Sequence, residues 1–327
     1  MRVAVIGLGG TIAMTGPPEG GARPALSAEQ LVASVPGLST LELDIVTESR
    51  LQVPGASVSI PDVVSALEAA ERHLDEGAGG IVITQGTDTI EETSYLLDLL
   101  HRRPEPIVVT GAMRNPSLAG ADGPGNLLAA IVTAAEPEAR ELGCLVVMSD
   151  EIHAASRVRK THSTSVSAFA SPTGGPLGYV AERRAYLMNR PPRRLTLPAP
   201  SREPRVVIYP ASLGDDGELL RALTEGEGLD GLVIGAFGMG HVPESWVATL
   251  EATAQRIPVV LASRTGSGLT GISTYAFAGS ESDLIKRRLI PAGRLDPYKS
   301  RLLLHLALAA GVDRTELENI FALMATA

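Results

Sequence analysis

The chain has 327 residues, 44% hydrophobic and 20% charged, which is the balance of an ordinary globular protein with chain enough for two cores. A net charge of −9 and an aromatic content of 3% argue against a nucleic-acid partner, because an acidic surface repels phosphate and few rings are available for stacking. No apolar run reaches the ~18–20 residues of a membrane helix, and the lone cysteine, Cys144, excludes an intrachain disulfide or a cysteine-rich zinc site and suits a reducing cytoplasm.

Residues 1–13 (MRVAVIGLGGTIA) have the apolar middle of a short signal core. Only one basic residue precedes it, and Gly7, Gly9 and Gly10 interrupt it, so the segment reads as an opening buried strand. Residues 3–8, 80–84, 106–110 and 144–149 are continuously apolar and predict strands buried on both faces. Between them, 61–76, 91–102 and 123–135 carry apolar residues at three- and four-residue spacing, the mark of helices. That alternation predicts a parallel sheet with helices on both sides. Residues 188–204 hold five prolines in seventeen positions and read as an extended linker. Beyond it the pattern restarts, with strands at 206–209, 231–235 and 258–262 and helices at 217–224, 244–255, 284–289 and 300–311. The expectation is an α/β protein of two domains: a larger N-terminal parallel-sheet catalytic domain (1–187), a Pro-rich linker (188–204) and a smaller C-terminal α/β domain (205–327).

Several common sites can be struck off. Gly7-Leu8-Gly9-Gly10-Thr11-Ile12 approaches a dinucleotide fingerprint but has Ile12 at the third glycine position. There is neither a GxxxxGK[ST] phosphate loop nor a GxSxG elbow. The six histidines (73, 101, 153, 162, 241 and 305) show no metal-ligand spacing and read as surface or hydrogen-bonded polar groups, so no metal site is expected.

Two strand-end turns and one lysine remain. Gly9-Gly10-Thr11-Ile12-Ala13 lets the backbone turn sharply and leaves the Thr11 hydroxyl at the carboxyl edge of the sheet. Thr84-Gln85-Gly86-Thr87-Asp88-Thr89 places a hydroxyl beside a carboxylate where a strand gives way to a helix, although Asp88 or Thr89 could equally cap that helix. The chain has only three lysines (160, 286 and 299) against 25 arginines. An ammonium at Lys160 can exchange a proton with a hydroxyl where a guanidinium cannot, although Lys160 could also belong to a solvated basic cluster.

Together these segments resemble the bacterial L-asparaginase/glutaminase family, the amidohydrolases with a threonine nucleophile. Gly9-Gly10-Thr11-Ile12-Ala13 is similar to the family's first signature, and Gln85-Gly86-Thr87-Asp88-Thr89-Ile90-Glu91-Glu92-Thr93 to its second. The likeness continues, in order, through Thr110-Gly111-Ala112-Met113-Arg114, Ala121-Asp122-Gly123-Pro124, Asn126-Leu127, Lys160-Thr161, Gly175-Pro176-Leu177-Gly178-Tyr179, Arg264 and Leu295-Asp296-Pro297. It spans essentially the whole chain.

The resemblance implies that Thr11 is the nucleophile and that Thr87, Asp88 and Lys160 form a second set handling protons and substrate. Asp88 would also pair with the substrate ammonium, and backbone N–H groups near Gly86 and Ala112 would hold the carboxylate and the oxyanion. Gly10 and the segment Gly55-Ala56-Ser57, in place of the family's Ser-Gln pair, would line the substrate site. Glu281, fifteen residues before Asp296, matches an acidic residue that reaches a neighbouring subunit's site. The resemblance implies a homodimer or homotetramer with shared sites and no cofactor; with the composition, the expectation is a cytoplasmic protein with no nucleic-acid or membrane partner. L-asparagine is the implied substrate, with glutamine left open. Two departures stand out: no tyrosine precedes Tyr95, so the family's loop tyrosine is missing, and Gln85 stands where the family has histidine. The loop 14–24, with three prolines and three glycines, is expected to close over substrate as a lid. Two other readings remain open. One is the ammonia-releasing subunit of a tRNA amidotransferase, which normally carries an added N-terminal domain; the other is a catalytically silent asparagine or aspartate sensor.

Overall fold

The continuously apolar runs become the inner strands of an eight-stranded sheet. The computed structural model describes residues 1–15, 23–191 and 194–326, and falls into two units, Met1–Thr196 and Leu197–Ala327. In chain order the first unit runs β1 (Arg2–Gly9), β2 (Met14–Thr15), β3 (Arg23–Pro24), α1 (Ala28–Ala33), β4 (Asp44–Val53), α2 (Ile60–Asp75), β5 (Ala78–Thr84) and α3 (Ile90–Leu100). It continues with β6 (Ile107–Thr110), α4 (Gly123–Ala135), β7 (Cys144–Met148), β8 (Glu151–Ala154), β9 (Arg159–Lys160), β10 (Phe169–Ala170), β11 (Gly178–Ala181) and β12 (Arg184–Leu187).

The sheet order is β12-β11-β8-β7-β6-β5-β1-β4. Strands β4, β1, β5, β6 and β7 are parallel, and alternation along them sends Val3, Val5, Val82, Val108, Leu145 and Val147 into one core with Leu127, Ala130 and Ile131 of α4. Their alternate neighbours, among them Ala4, Ile6, Ile81, Ile83, Ile107 and Val109, are equally buried, which is why these strands read as unbroken apolar runs. Register then fixes where the chemistry can sit. Gly7 of β1 pairs with Ser49 of β4 and Thr84 of β5, and Thr84 pairs with Thr110 of β6. Strands β5 and β6 end there, β1 and β4 run on to pair Gly9 with Val53, and the four turns emerge side by side at one edge of the sheet.

The second unit contains β13 (Val206–Pro210), α5 (Glu218–Glu225), β14 (Gly231–Ala236), α6 (Val247–Ala254), β15 (Val259–Ser263), α7 (Glu281–Lys286), β16 (Ile290–Pro291), α8 (Pro297–Ala309) and α9 (Arg314–Thr326). Its four strands are parallel in the order β13-β14-β15-β16, over a core that includes Leu220, Ile234, Trp246, Leu250, Leu261 and Leu284. The architecture is therefore two α/β domains, the larger one first.

The structure departs from the sequence reading at several points. The first sheet is not parallel throughout, because β8, β11 and β12 close the end opposite β4 antiparallel. The hairpin turns are Ser149-Asp150 and Glu182-Arg183, all four with positive φ (49°, 62°, 49° and 61°), a conformation usually signalled by Asn-Gly and here built without glycine. The helix expected at 284–289 starts three residues earlier, where the Ser280 side chain accepts the Asp283 N–H and caps it. The segment expected as a helix at 244–255 opens as a 3-10 turn, Glu244–Trp246. His101, His153 and His305 are buried and, as expected, hydrogen-bonded, through one ring nitrogen each, to the Glu105 carbonyl (2.6 Å), Ser171 Oγ (3.0 Å) and the Pro204 carbonyl (3.0 Å), while the other ring nitrogen of each makes no hydrogen bond among the described residues. The expected lid falls on residues 16–22, outside the described residues; its flanks, β2 and β3, pair antiparallel. Arg194, within the proline-rich stretch, donates from Nε to Asp98 Oδ1 (3.1 Å) and from Nη2 to the His101 carbonyl (2.8 Å), which ties that stretch to α3.

Candidate active site

Three glycines lock the strand-end turns together. A Cβ on Gly10 would lie 1.9 Å from Gly86 N, and one on Gly55 would lie 2.9 Å from the Gly86 carbonyl carbon. Only bare backbone fits there, and Gly10 also needs its φ of +80°. Its N–H donates to the Val53 carbonyl at 3.0 Å, joining the turns after β1 and β4. Thr11 opens a single 3-10 turn whose next two residues, Ile12 and Ala13, are buried. Ile12 packs under Gly123, where an added Cβ would meet its Cγ1 at 3.0 Å. Its anchorage fixes the turn and leaves half-buried Thr11 at the sheet edge.

The turn after β5 supplies the charged chemistry. Lys160, on β9 and paired with Phe169 of β10, extends Nζ to within 2.9 Å of both Thr87 Oγ1 and Asp88 Oδ1. Thr87 is buried, whereas the Asp88 side chain is 61% exposed and so remains open to a ligand. Neither the cap nor the solvated-cluster alternative survives as the sole role of these residues: Thr89, at the N-cap of α3, makes no side-chain capping bond, and Lys160 is held between two partners. Arg159, beside Lys160, pairs with Glu91 of α3 at 3.8 Å and draws β9 toward that helix.

Beyond β6, the buried Ala112 turn is braced by two side chains to which sequence reasoning gave no role. The Asp122 carboxylate accepts the N–H groups of Met113 (2.9 Å) and Arg114 (2.8 Å) and Nδ2 of Asn126 (3.1 Å). Asn126 Nδ2 also donates to the Gly111 carbonyl (3.0 Å), and its Oδ1 accepts the Ser149 N–H (2.9 Å). The available signal was an acid and an amide four residues apart at a helix start, which puts both on one face. In the turn after β4, Gly55 is buried against Gly86 while Ala56 and Ser57 are exposed. Gln85 is fully buried, with Nε2 3.3 Å from both the Gly86 carbonyl and Thr89 Oγ1.

The structure thus gathers Gly10, Thr11, Gly55, Ala56, Ser57, Gly86, Thr87, Asp88, Ala112 and Lys160 on the first unit. Glu281 belongs to the second. It is buried at the start of α7, with Oε1 accepting the N–H groups of Thr274 and Tyr275 (2.7 Å each) and Oε2 3.1 Å from His241 Nε2. Burial pushes its carboxyl up, but the backbone donors, Tyr275 foremost, and His241 outweigh that and hold it below the usual carboxylate range. No cluster of three or more His, Cys, Asp or Glu able to hold a metal occurs among the described residues. No helix there is long and apolar enough to cross a membrane.

Comparison with known proteins gives matches along both units. Residues 2–193 match the family model "Asparaginase, N-terminal", and residues 205–321 match "Glutaminase/Asparaginase C-terminal domain". A "Probable L-asparaginase" of Deinococcus radiodurans is 35% identical, covering 98% of this chain and 97% of its own. "L-asparaginase 2" of Escherichia coli is 34% identical (98% and 92% covered), and a "Glutaminase-asparaginase" of Pseudomonas fluorescens is 31% identical (98% and 90%). The crystal structure of a "Probable Cytoplasmic L-asparaginase" from Campylobacter jejuni superposes with a TM-score of 0.87 at 31% identity, covering 98% of this chain and 99% of that one. The chain belongs to the bacterial L-asparaginase/glutaminase family.

Proposed function

We propose that the protein hydrolyses L-asparagine to L-aspartate and ammonia through a threonyl acyl-enzyme. The observation that carries the reading is the Lys160 ammonium, 2.9 Å from both Thr87 and Asp88, in a turn locked against the one that presents Thr11. In the proposed sequence, Thr11 Oγ1 adds to the side-chain amide carbonyl and gives up its proton. The amide nitrogen gains a proton and departs as ammonia, leaving a threonyl ester. Water then adds to the ester, releasing L-aspartate and restoring the hydroxyl. A threonine hydroxyl is a weak nucleophile without a partner that handles its proton, and Thr87, Asp88 and Lys160 are the groups at hand. Asp88, largely exposed, also faces the substrate ammonium, and the braced turn at Ala112 supplies backbone donors for the oxyanion. Gly10, Gly55, Ala56, Ser57 and Gly86 line the substrate.

The test is ammonia release from L-asparagine and L-glutamine by the wild type, Thr11→Ala and Thr87→Val. Wild-type release from asparagine is expected to survive exhaustive chelation, since no step needs a metal. Both variants are expected to lose at least about 10³-fold in kcat, the scale on which a covalent or proton-transferring group acts. Near-wild-type turnover in both would refute the assignment. A wild type that binds aspartate but releases no ammonia would be a sensor. Glutaminase activity is part of the proposal, supported by relatives named for both activities. So is a cytoplasmic location, supported by a single, buried cysteine, although one relative is named periplasmic. The protein is further proposed to work as a homodimer or homotetramer with shared sites.

A further inference from the structure

The turn after β5 contains a hydroxyl that gives up an ordinary task. Thr89 occupies the N-cap of α3, where a threonine side chain normally accepts an N–H from the first turn and contributes about 1 kcal/mol. It makes no such bond. Instead Oγ1 donates to the Gly55 carbonyl, 34 residues away, at 3.0 Å. The same oxygen faces Gln85 Nε2 at 3.3 Å, so the hydroxyl accepts from one side and donates to the other. Gln85 Nε2 is also 3.3 Å from the Gly86 carbonyl, and its Oε1 makes no hydrogen bond among the described residues. The amide is thus oriented by its donors. Gly55 and Gly86 already touch backbone to backbone, so this relay fixes the rotation of the Gly55–Ser57 turn against the turn that carries Thr87 and Asp88.

We infer that Thr89 and Gln85 are positioning residues for substrate affinity, holding the Gly55–Ser57 turn where its exposed Ala56 and Ser57 meet the unreactive end of an α-amino dicarboxylic monoamide. The inference rests on the proposed amidohydrolase reading. The relay ends on a backbone carbonyl of the binding segment and makes no bond to Lys160 Nζ, whose partners are Thr87 Oγ1 and Asp88 Oδ1. Loosening it removes interactions shared by ground state and transition state. That raises KM and leaves kcat in place. Gln85 stands where the family has histidine, so this chain builds the relay from its own residue.

The experiment measures kcat and KM for L-asparagine, and calorimetric Kd for L-aspartate, in the wild type, Thr89→Val, Thr89→Ser and Gln85→Met. Thr89→Val removes the bond that ties the two turns, leaving the Gly55 carbonyl only the Val58 N–H of its own turn (3.3 Å) and Gln85 Nε2 only the Gly86 carbonyl, and is expected to raise KM and Kd about tenfold, with kcat within about threefold. Thr89→Ser restores the hydroxyl and is expected to stay within about twofold of wild type throughout. Gln85→Met keeps an unbranched side chain of similar length but lacks the donor, and is expected to raise KM about threefold. It also carries the test if Thr89→Val does not fold. Unchanged KM and Kd in Thr89→Val or, failing its folding, in Gln85→Met overturns the inference, as does a loss confined to kcat. Failure of serine to rescue overturns it too. A wild type that releases no ammonia from asparagine overturns the parent reading instead, and the aspartate Kd series still judges the relay.

Discussion

Lysine and arginine carry the same charge at position 160 but differ in what they can do with a proton. The Lys160 ammonium touches Thr87 Oγ1 and Asp88 Oδ1 at 2.9 Å each. A guanidinium could keep the ion pair with Asp88, yet it cannot release a proton at working pH. Lys160→Arg is therefore expected to lower kcat at least about 10³-fold while the melting temperature stays within a few degrees of wild type. Retention of most activity would make Lys160 an electrostatic group only. A second residue-scale expectation concerns His153, which burial pushes down to about 4. Its folded value lies below the unfolded one of about 6.5, so between those values the unfolded chain takes up a proton that the native state refuses. The stability this supplies is complete above the unfolded value and is lost as pH falls from about 6.5 toward 4. Burial lowers His101 and His305 in the same direction. His153→Gln keeps a polar partner for Ser171, which lies 3.0 Å from Nδ1, and removes the titration. Its denaturant stability is expected to fall less between pH 7 and pH 4.5 than that of the wild type, by about 2 kcal/mol. Parallel curves for the two proteins would sink the argument.

Among the elements, the turns at the neighbouring strand ends are held by backbone contact, and glycine is what permits it. Ala at position 10 would put a carbon 1.9 Å from Gly86 N, on a residue whose φ is +80°. Gly77 has a similar φ of +94° but nothing within 4 Å of the added carbon. Gly77→Ala is therefore expected to cost only the strain of a left-handed residue, about 1–2 kcal/mol. Gly10→Ala should cost more than about 4 kcal/mol or prevent folding. Equal denaturation midpoints for the two variants would show that the lock is slack. The sequence made these turns legible because the strands before them are buried on both faces and therefore unbroken in hydrophobicity. It hid β4, whose polar run Thr47-Glu48-Ser49-Arg50 belongs to a half-exposed edge strand. It also hid the antiparallel end of the sheet, because Ser149-Asp150 and Glu182-Arg183 adopt hairpin geometry without glycine. At the site, Thr11, Thr87 and Asp88 were legible as residue types at strand ends, and Lys160 as one of only three lysines. The braces Asp122 and Asn126 and the Thr89–Gly55 bond were not, since each acts on backbone atoms far along the chain.

At the scale of the whole molecule, the question is whether one chain or two supply the groups of one site. Glu281 is buried, and its carboxylate holds Thr274, Tyr275 and His241, so its direct work is to shape the loop before α7. That loop leaves Ile272, Tyr275 and Phe277 exposed at 66%, 44% and 50%. Apolar side chains gathered on a surface favour being covered, and a two-fold contact between copies covers the same patch twice. On the proposed reading that sites are shared, the loop of each chain serves the Thr11 site of the other. The expected outcome is read by mixing two inactive variants, Thr11→Ala and Glu281→Ala, after dissociation and reassembly. Half of randomly paired dimers are mixed, and each mixed dimer has one site with both defects and one with neither, so about a quarter of full activity should return. If Glu281 serves the site of its own chain, every site in the mixture keeps one defect and nothing returns. Glu281→Ala must be inactive alone for the mixture to be informative; if it is fully active, Glu281 shapes its loop and contributes to no site. Dilution of the reassembled mixture below its dimer dissociation constant should then remove the recovered activity, because a composite site cannot outlive the contact that makes it.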